Sequence, residues 1–462
     1  MIQHVLPGFE QLAKAACPSA FHNSHHVFAP PQCHPNTRLK VLRKITSWVD
    51  RTEDPEASVM WISGGLGIGK SAIARTMAKI LAKEGRLVAS FCFARGDSKR
   101  NCIESLAATI AYHAVDHIPQ LLPDISRVVE RNPLIFKLSF ESAFRSLIVE
   151  PIEKLARTGY FTAPQCARVI IIDGLDECLA RDSQQEILEV ISTFLQDRKF
   201  PLLFLIASRR EPQLLNTFDN GAIKEFLTEL NLDDSFSPEN DIRVFLESSF
   251  NNIKKTHIQS VYIPQPWPEP HVIDTLVRKS SRMFIYASTV VKYVSSPKHL
   301  PHLRLNVILG LRPVTNESPF AELDGLYDHI LKSVHEDYVN STRMLLRLVI
   351  FSNEKGTVSK PLMEKILELH PGELQIIMGE LGSTLKIDQH AMGEYITLVH
   401  ASFGDYLCDE SRSKSFYLDR GISHAQLASL LLQTLKTHSV CKCYIELDNG
   451  GCPAHKVYCL SS

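Results

Sequence analysis

The chain has 462 residues, with 50 lysines and arginines against 51 aspartates and glutamates, so its formal net charge is −1 at pH 7. This balance argues against a protein that is held to nucleic acid or to an anionic membrane by its global charge. The apolar content of 44% and the charged content of 22% are those of an ordinary globular protein, and the length predicts two to four domains. The first residues lack the pattern of a signal peptide, and the longest apolar run, 200–207, is too short to span a bilayer. We therefore expect a cytoplasmic protein with free thiols.

The first stretch of the chain, residues 1–39, shows little periodicity. It is rich in His, Pro and Asn between residues 19 and 35, which predicts an N-terminal arm or linker. Metal binding is an alternative to the preferred interpretation of a flexible polar arm, and the side chains concerned are His22, His25, His26, Cys33 and His34.

Between residues 57 and 232, predicted strands alternate with predicted helices. The predicted strands are 58–63, 87–93, 168–173, 202–207 and 223–228, and helices such as 102–117, 140–157 and 183–197 fall between them. Most of these strands are continuous apolar runs, which indicates burial on both faces. We therefore predict an α/β fold, with a mainly parallel sheet between two helical layers and a domain at residues 40–232.

A glycine-rich turn follows the first predicted strand. Its sequence fits G-x-x-x-x-G-K-[ST], the P-loop or Walker A pattern, and a predicted helix begins at Ser71. In this context backbone N–H groups and the helix dipole bind phosphate oxygens. Lys70 is expected to reach the β- and γ-phosphates of a nucleotide, and the Ser71 hydroxyl to bind Mg²⁺. The predicted nucleotide-binding residues are Gly64, Gly65, Leu66, Gly67, Ile68, Gly69, Lys70, Ser71 and Ala72.

An apolar strand that ends in Asp173 supplies the carboxylate that such a site needs, in the Walker B arrangement. Because ligands bind at the carboxyl ends of parallel strands, Asp173 is expected to hold Mg²⁺, through water. Asp176 or Glu177 would position or deprotonate an attacking water. The next predicted strand leads to Arg209, which is expected to sense the γ-phosphate through bidentate hydrogen bonds. A solvated arginine at a helix start is the alternative for that residue.

After residue 237 the pattern becomes helical, which predicts a helical domain at 233–312 that ends in a proline-rich joint. A third domain, 313–437, combines several predicted helices with a hairpin around Met392-Gly393, and this combination is a winged-helix arrangement. In the tail, 438–462, zinc binding is an alternative to an irregular segment. The residues concerned are Cys441, Cys443, Cys452, His455 and Cys459.

The P-loop, the Walker B strand and Arg209, in this order, resemble the NACHT family of signalling ATPases, within the STAND class of P-loop proteins. The segment Asp-Gly-Leu-Asp-Glu at 173–177 is close to the Walker B signature of that family. The resemblance is strongest to the large fungal, nephrocystin-type group, whose usual sequence patterns match residues 33–38, 91–95 and 326–331. It covers about residues 20–435, almost the whole chain.

The resemblance implies that the nucleotide domain, the helical domain and the winged helix clamp ADP in an inactive form. Exchange for ATP opens the clamp and permits self-association, in signalling of the innate-immunity or incompatibility type. His400 fits the winged-helix histidine that touches the β-phosphate of ADP in related STAND proteins, with a structural histidine as the alternative. Relatives also carry a proline that contacts adenine, which residues 281–287 lack. Thr37 and Arg38 are weaker candidates for a wall of the adenine pocket.

Family members usually carry an N-terminal effector domain and a C-terminal sensor array of repeats, and the sequence shows neither pattern. We expect partner proteins to supply those functions, or the chain to be a truncated version. The preferred function is a slow Mg-dependent ATPase that controls the conformation of the protein. Two other functions stay open. One is a turnover enzyme, either a P-loop ATPase or a kinase, and a kinase would need an acceptor site and a lid with extra basic residues over the phosphates. A winged-helix DNA-binding regulator would need a basic recognition helix, whereas the third domain mixes acidic and basic residues.

Overall fold

The computed structural model describes residues 6–24, 32–65, 67–95, 97–163, 166–197, 200–233, 236, 238–310, 320–352, 358–390 and 393–437. Leu66, Met392 and the Cys-rich tail at 438–462 lie outside the described residues, as do His25 and His26. Within the described ranges, no helix is long and apolar enough to cross a membrane. In the same part of the chain, no group of three or more His, Cys, Asp or Glu side chains could hold a metal ion.

A parallel sheet forms the centre of the first unit, with five strands among the described residues. They are β1 (Val59–Ser63), β2 (Leu87–Cys92), β3 (Val169–Asp173), β4 (Leu203–Ser208) and β5 (Leu227–Asn231), in the spatial order β2-β3-β4-β1-β5. All neighbouring pairs are parallel. The first four strands are buried along their whole length, as continuous apolar runs require. The predicted α/β fold with a parallel sheet is confirmed.

Helices cover both faces of this sheet. In chain order they are α1 (Pro7–Ala15), α2 (Leu39–Val49), α3 (Lys70–Lys83), α4 (Leu106–His117), α5 (Leu122–Arg131), α6 (Phe140–Phe144), α7 (Glu150–Ala156), α8 (Arg181–Leu195) and α9 (Pro212–Asn220). Alternate residues of β1 enter two separate apolar clusters, with Val59 and Trp61 in one and Met60 and Ile62 in the other. The sheet therefore lies between two helical layers.

Three predictions for this unit are wrong in detail. The short helix α1 replaces part of the predicted irregular arm, because Leu12 is fully buried in the main apolar cluster of the unit. β5 begins later than predicted, since Ile223 and Phe226 are buried from a 3₁₀ turn instead of a strand. The predicted helix at 140–157 is interrupted by a π-helical turn at Arg145–Val149.

Helices and one hairpin form the rest of the described chain. They are α10 (Glu239–Thr256), α11 (Pro270–Lys279), α12 (Phe284–Val294), α13 (Pro301–Gly310), α14 (Ala321–Lys332), α15 (Val339–Phe351), α16 (Lys360–Ile366), α17 (Glu373–Leu381), β6 (Leu385–His390), β7 (Gly393–Leu398), α18 (Ala401–Leu407), α19 (Glu410–Ser413) and α20 (Arg420–Thr437). β6 and β7 pair antiparallel. One buried apolar cluster runs from Ile242 to Leu427, so the predicted helical and third domains share a core. The winged-helix assignment stays a prediction.

Three histidine rings lie together where the N-terminal segment meets α4. The ring centroids of His22 and His113 are 5.5 Å apart, and those of His113 and His117 are 4.6 Å apart. Burial, and then the charge of His117, lowers the pKa of His22 to about 4 and that of His113 to about 3. Both rings are therefore neutral in the folded protein at pH 5, whereas most histidines of the unfolded chain are protonated there.

We expect acid to destabilise the folded protein through this cluster. The two rings make their full contribution to the free energy of unfolding above the unfolded pKa of about 6.5. This contribution is lost as the pH falls from about 6.5 toward the lower pKa values of the folded state. At pH 5 the loss is about 2 kcal/mol for each ring. In urea titrations, His113→Gln should therefore show a smaller difference in stability between pH 7 and pH 5 than the wild type. His271→Gln, at an exposed histidine, should match the wild type, and equal pH differences in all three proteins would contradict the assignment.

Candidate functional site

The loop between β1 and α3 has the backbone of a phosphate-binding turn. Gly64, Gly67 and Gly69 have φ values of 153°, 71° and 103°, in the region that favours glycine. Lys70 begins α3, and its Nζ donates to the carbonyl oxygens of Gly64 at 2.7 Å and Gly65 at 2.8 Å. These contacts fix the ammonium group against the loop, at the N-terminus of a 14-residue helix whose dipole favours anions.

Two elements of the chain beyond the sheet core hold the loop backbone. Gly65 N donates to both carboxylate oxygens of Asp233, at 2.9 Å and 3.2 Å, just after the end of β5. The carbonyl oxygen of Gly67 accepts a hydrogen bond from Ile285 N at 3.1 Å, at the start of α12. The loop is therefore connected directly to the helical part of the chain.

Arg38 approaches the loop from the start of α2. Its Nη2 donates to the carbonyl oxygen of Ile68 at 2.6 Å, and its guanidinium carbon lies 4.9 Å from the ring centroid of Phe284. Thr37 is buried, and its hydroxyl donates to the carbonyl oxygen of His34 at 2.6 Å. The structure thus brings the Arg38 side chain to the loop, whereas the Thr37 hydroxyl is used locally.

Asp173, at the end of β3, lies beside the serine of the loop. It is 3% exposed. Burial raises the pKa of Asp173 to about 7, against the opposing effect of the Ser71 side chain. Its Oδ1 has no hydrogen-bond partner among the described residues. A hydroxyl and a carboxylate with an unused oxygen fit a magnesium ion, which takes oxygen ligands and completes its coordination with phosphates and waters.

The two acids that follow β3 are held differently. Asp176 accepts a hydrogen bond from Arg209 N at 2.9 Å, and its Oδ2 lies 3.2 Å from Arg209 Nε. Glu177 accepts a hydrogen bond from the backbone N of Arg95 at 3.1 Å. Burial, and then the charge of Asp176, raises the pKa of Glu177. The guanidinium of Arg209 binds Asp176, whereas a backbone amide holds Glu177, whose raised pKa suits the acceptance of a proton.

The third predicted domain reaches the same edge of the sheet through α18. The carboxylate of Asp405 lies 3.0 Å from Nη2 of Arg209 and 3.3 Å from Nη1 of Arg95. His400 caps the N-terminus of α18 with its side chain. Burial, and then the charge of Arg209, lowers the pKa of His400 to about 4. The His400 ring is therefore neutral at pH 7, and its Nδ1 accepts a hydrogen bond from Ser402 N at 3.1 Å within α18.

The structure brings most of the predicted site residues together at the carboxyl ends of the strands. Sequence analysis missed three participants, Asp233, Arg95 and Asp405. A signal existed for two of them, because Asp233 and Arg95 follow β5 and β2, and ligands of parallel sheets lie beyond the carboxyl ends of strands. Asp405 carried no such signal, since α18 arrives from a distant part of the chain.

The strand order, the glycine loop before α3 and the buried carboxylate at the end of β3 define the first unit as a P-loop NTPase domain. Residues 38–209 match the family described as Nephrocystin 3, N-terminal. This match includes the P-loop, Asp173 and Arg209, and it ends before the helical part of the chain. No curated protein matches the chain.

Several solved structures resemble the chain loosely. The Aeropyrum pernix ORC1 protein in complex with DNA is 14% identical, over 87% of this chain and 95% of its own, with a TM-score of 0.38. C. elegans PCH-2 is 13% identical, over 59% of this chain and 69% of its own, with a TM-score of 0.33. Drosophila ORC bound to GC-rich DNA and Cdc6 is 13% identical, over 82% of this chain and 63% of its own, with a TM-score of 0.29. Likenesses of this size transfer no property to the chain.

Proposed function

We propose that the chain is a nucleotide-operated switch of the STAND class, a slow Mg-dependent ATPase in which bound ADP or ATP sets the position of the helical units. The observation that carries the proposal is that Arg209 is shared between Asp176 of the P-loop unit and Asp405 of α18. The arginine that we propose to bind a γ-phosphate is thus engaged by a carboxylate from another unit. The γ-phosphate and Asp405 would compete for one guanidinium, so ATP and ADP would differ in affinity for the closed arrangement.

The nucleotide phosphates would lie on the loop before α3. Backbone N–H groups at the start of the helix and the Lys70 ammonium supply positive charge there. Ser71 and Asp173 would hold Mg²⁺, which neutralises phosphate charge when it is bound. His400 is the candidate for contact with the β-phosphate of ADP, and Arg38 is the stronger of the two candidates for the adenine pocket.

Hydrolysis would use Glu177 as the base. Water adds to the γ-phosphorus, the bond from this phosphorus to the bridging oxygen breaks, and ADP departs with the bonding electrons. Glu177 accepts the proton of the attacking water and then returns it to the phosphate product. Arg209 would stabilise charge on the γ-phosphate oxygens once Asp405 has released its guanidinium.

The proposed organisation follows the NACHT relatives of nephrocystin type. A nucleotide unit at 40–232, a helical unit at 233–312 and a winged-helix unit at 313–437 would close around ADP. ATP would favour an open form that self-associates and signals to effector and sensor proteins in the cytoplasm. Nucleic acid is not a proposed partner, because the formal net charge of −1 supplies no general attraction to phosphate backbones.

Mass spectrometry of the nucleotide that denatured protein releases tests this function. We expect ADP from the purified wild type and none from Lys70→Ala, because the ammonium that would hold the phosphates is gone. Lys79→Ala removes an exposed lysine of the same helix and should retain ADP. A wild type without nucleotide, or full retention by Lys70→Ala, contradicts the proposal.

A further inference from the structure

The carboxylate of Asp405 is shared by two arginines that follow different strands of the sheet. Its Oδ1 lies 3.3 Å from Nη1 of Arg95, and its Oδ2 lies 3.0 Å from Nη2 of Arg209. The side chains of Asp405 and Arg209 are 21% and 20% exposed, whereas that of Arg95 is 45% exposed. The contact with Arg209 is therefore the better shielded from solvent and salt, and it contributes more of the attraction.

Each arginine also holds one of the two acids that follow β3. Arg209 binds Asp176 through its Nε at 3.2 Å and its backbone N at 2.9 Å. The backbone N of Arg95 donates to Glu177 at 3.1 Å. A continuous line of polar contacts thus joins both acids to Asp405 by way of the two arginines.

The position of Asp405 is set by the unit that carries it. On the same helix, α18, Phe403 and Tyr406 are each 1% exposed. The Ser402 hydroxyl lies 2.7 Å from that of Tyr327, which belongs to α14. Because α18 is anchored in the core of its own unit, its carboxylate leaves the two arginines when that unit moves.

We propose that Asp405 is a positioning residue that restrains the site: through two arginines it holds the acids after β3 in a resting arrangement, and so slows ATP hydrolysis and ADP release. This inference rests on the proposed switch and deepens it by naming the side chain that couples α18 to the acids. While Asp405 occupies Nη2 of Arg209, that nitrogen cannot serve a γ-phosphate. Removal of the carboxylate frees the guanidinium and allows Glu177 to reorient toward water.

The test compares Asp405→Asn with Asp328→Asn, the same chemical change at a similarly exposed carboxylate. Asp328 is 24% exposed and pairs with Lys332 at 2.7 Å within α14. We expect Asp405→Asn to release ADP labelled with a fluorescent methylanthraniloyl group about 10-fold faster than the wild type, within the usual range for coupling between sites. The kcat for ATP should rise in parallel, and Asp328→Asn should match the wild type.

Two further variants separate positioning from a general loss of structure. Asp405→Glu restores the carboxylate and should return the release rate toward that of the wild type. Arg95→Gln should accelerate release by itself but add little in the Asp405→Asn background, because both changes break the same line of contacts.

The outcomes distinguish this inference from the switch on which it rests. Unchanged or slower release from Asp405→Asn, in a protein whose wild type retains nucleotide through Lys70, overturns the positioning role and leaves the switch intact. Equal acceleration in Asp328→Asn also overturns it, because a loosened unit would then explain the effect. If the wild type binds no labelled ADP, the proposed switch itself is contradicted.

Discussion

Glu177→Gln should reduce the kcat for ATP roughly 100- to 10,000-fold while leaving ADP retention close to that of the wild type. The carboxamide keeps the shape of the side chain and can still accept the hydrogen bond from Arg95 N, but it cannot take a proton from water. Steady-state phosphate release measures the first effect, and mass spectrometry of bound nucleotide measures the second.

Asp176→Asn is the matched comparison, since it makes the same change at the neighbouring acid. Asp176 is held by the side chain and the backbone of Arg209, so its loss should lower the free energy of unfolding by about 2 kcal/mol. We expect a smaller fall in kcat than for Glu177→Gln. The assignment of the base fails if Asp176→Asn abolishes turnover while Glu177→Gln retains it.

Gly67→Ala should weaken ADP binding at least roughly 30-fold, because two independent penalties meet at this position. A Cβ at residue 67 would lie 2.1 Å from Cγ2 and 2.8 Å from Cβ of Ile285, and the backbone φ of +71° disfavours any side chain. Either the loop or the start of α12 must shift. Isothermal titration with ADP, together with the melting temperature, measures the result.

Gly85→Ala separates the two penalties. Gly85 has a φ of +70°, almost that of Gly67, but nothing lies within 4 Å of a Cβ added there. The variant should therefore lose about 1–2 kcal/mol of stability from backbone strain and keep its affinity for ADP. If Gly67→Ala and Gly85→Ala behaved alike, the contact between the loop and α12 would have no role in nucleotide binding.

The sequence predicted those parts of the site that depend on local order along the chain. The P-loop and the strand that ends in Asp173 are contiguous motifs, and four of the five strands lie within about two residues of their predicted bounds because each is a continuous apolar run. β5 was misplaced since its surroundings include a buried 3₁₀ turn with the same apolar signal.

What the sequence could not predict depends on contacts between distant residues. Arg95 and Asp405 are 310 positions apart, and Arg209 and Asp405 are 196 positions apart. In the sequence, an aspartate on a short helix cannot be told from a solvent-facing residue. Its role depends on the two guanidinium groups that the fold brings to it. The hydrogen bond from Gly65 N to Asp233 could not be predicted either, because a contact made by a backbone amide has no signal in the amino-acid sequence.

One buried apolar cluster joins the elements from α10 to α20. Because the helical and third units share this cluster, an opening motion would move them together as one rigid body. Asp233, just after β5, accepts a hydrogen bond from Gly65 N, so such a motion would act directly on the phosphate-binding loop.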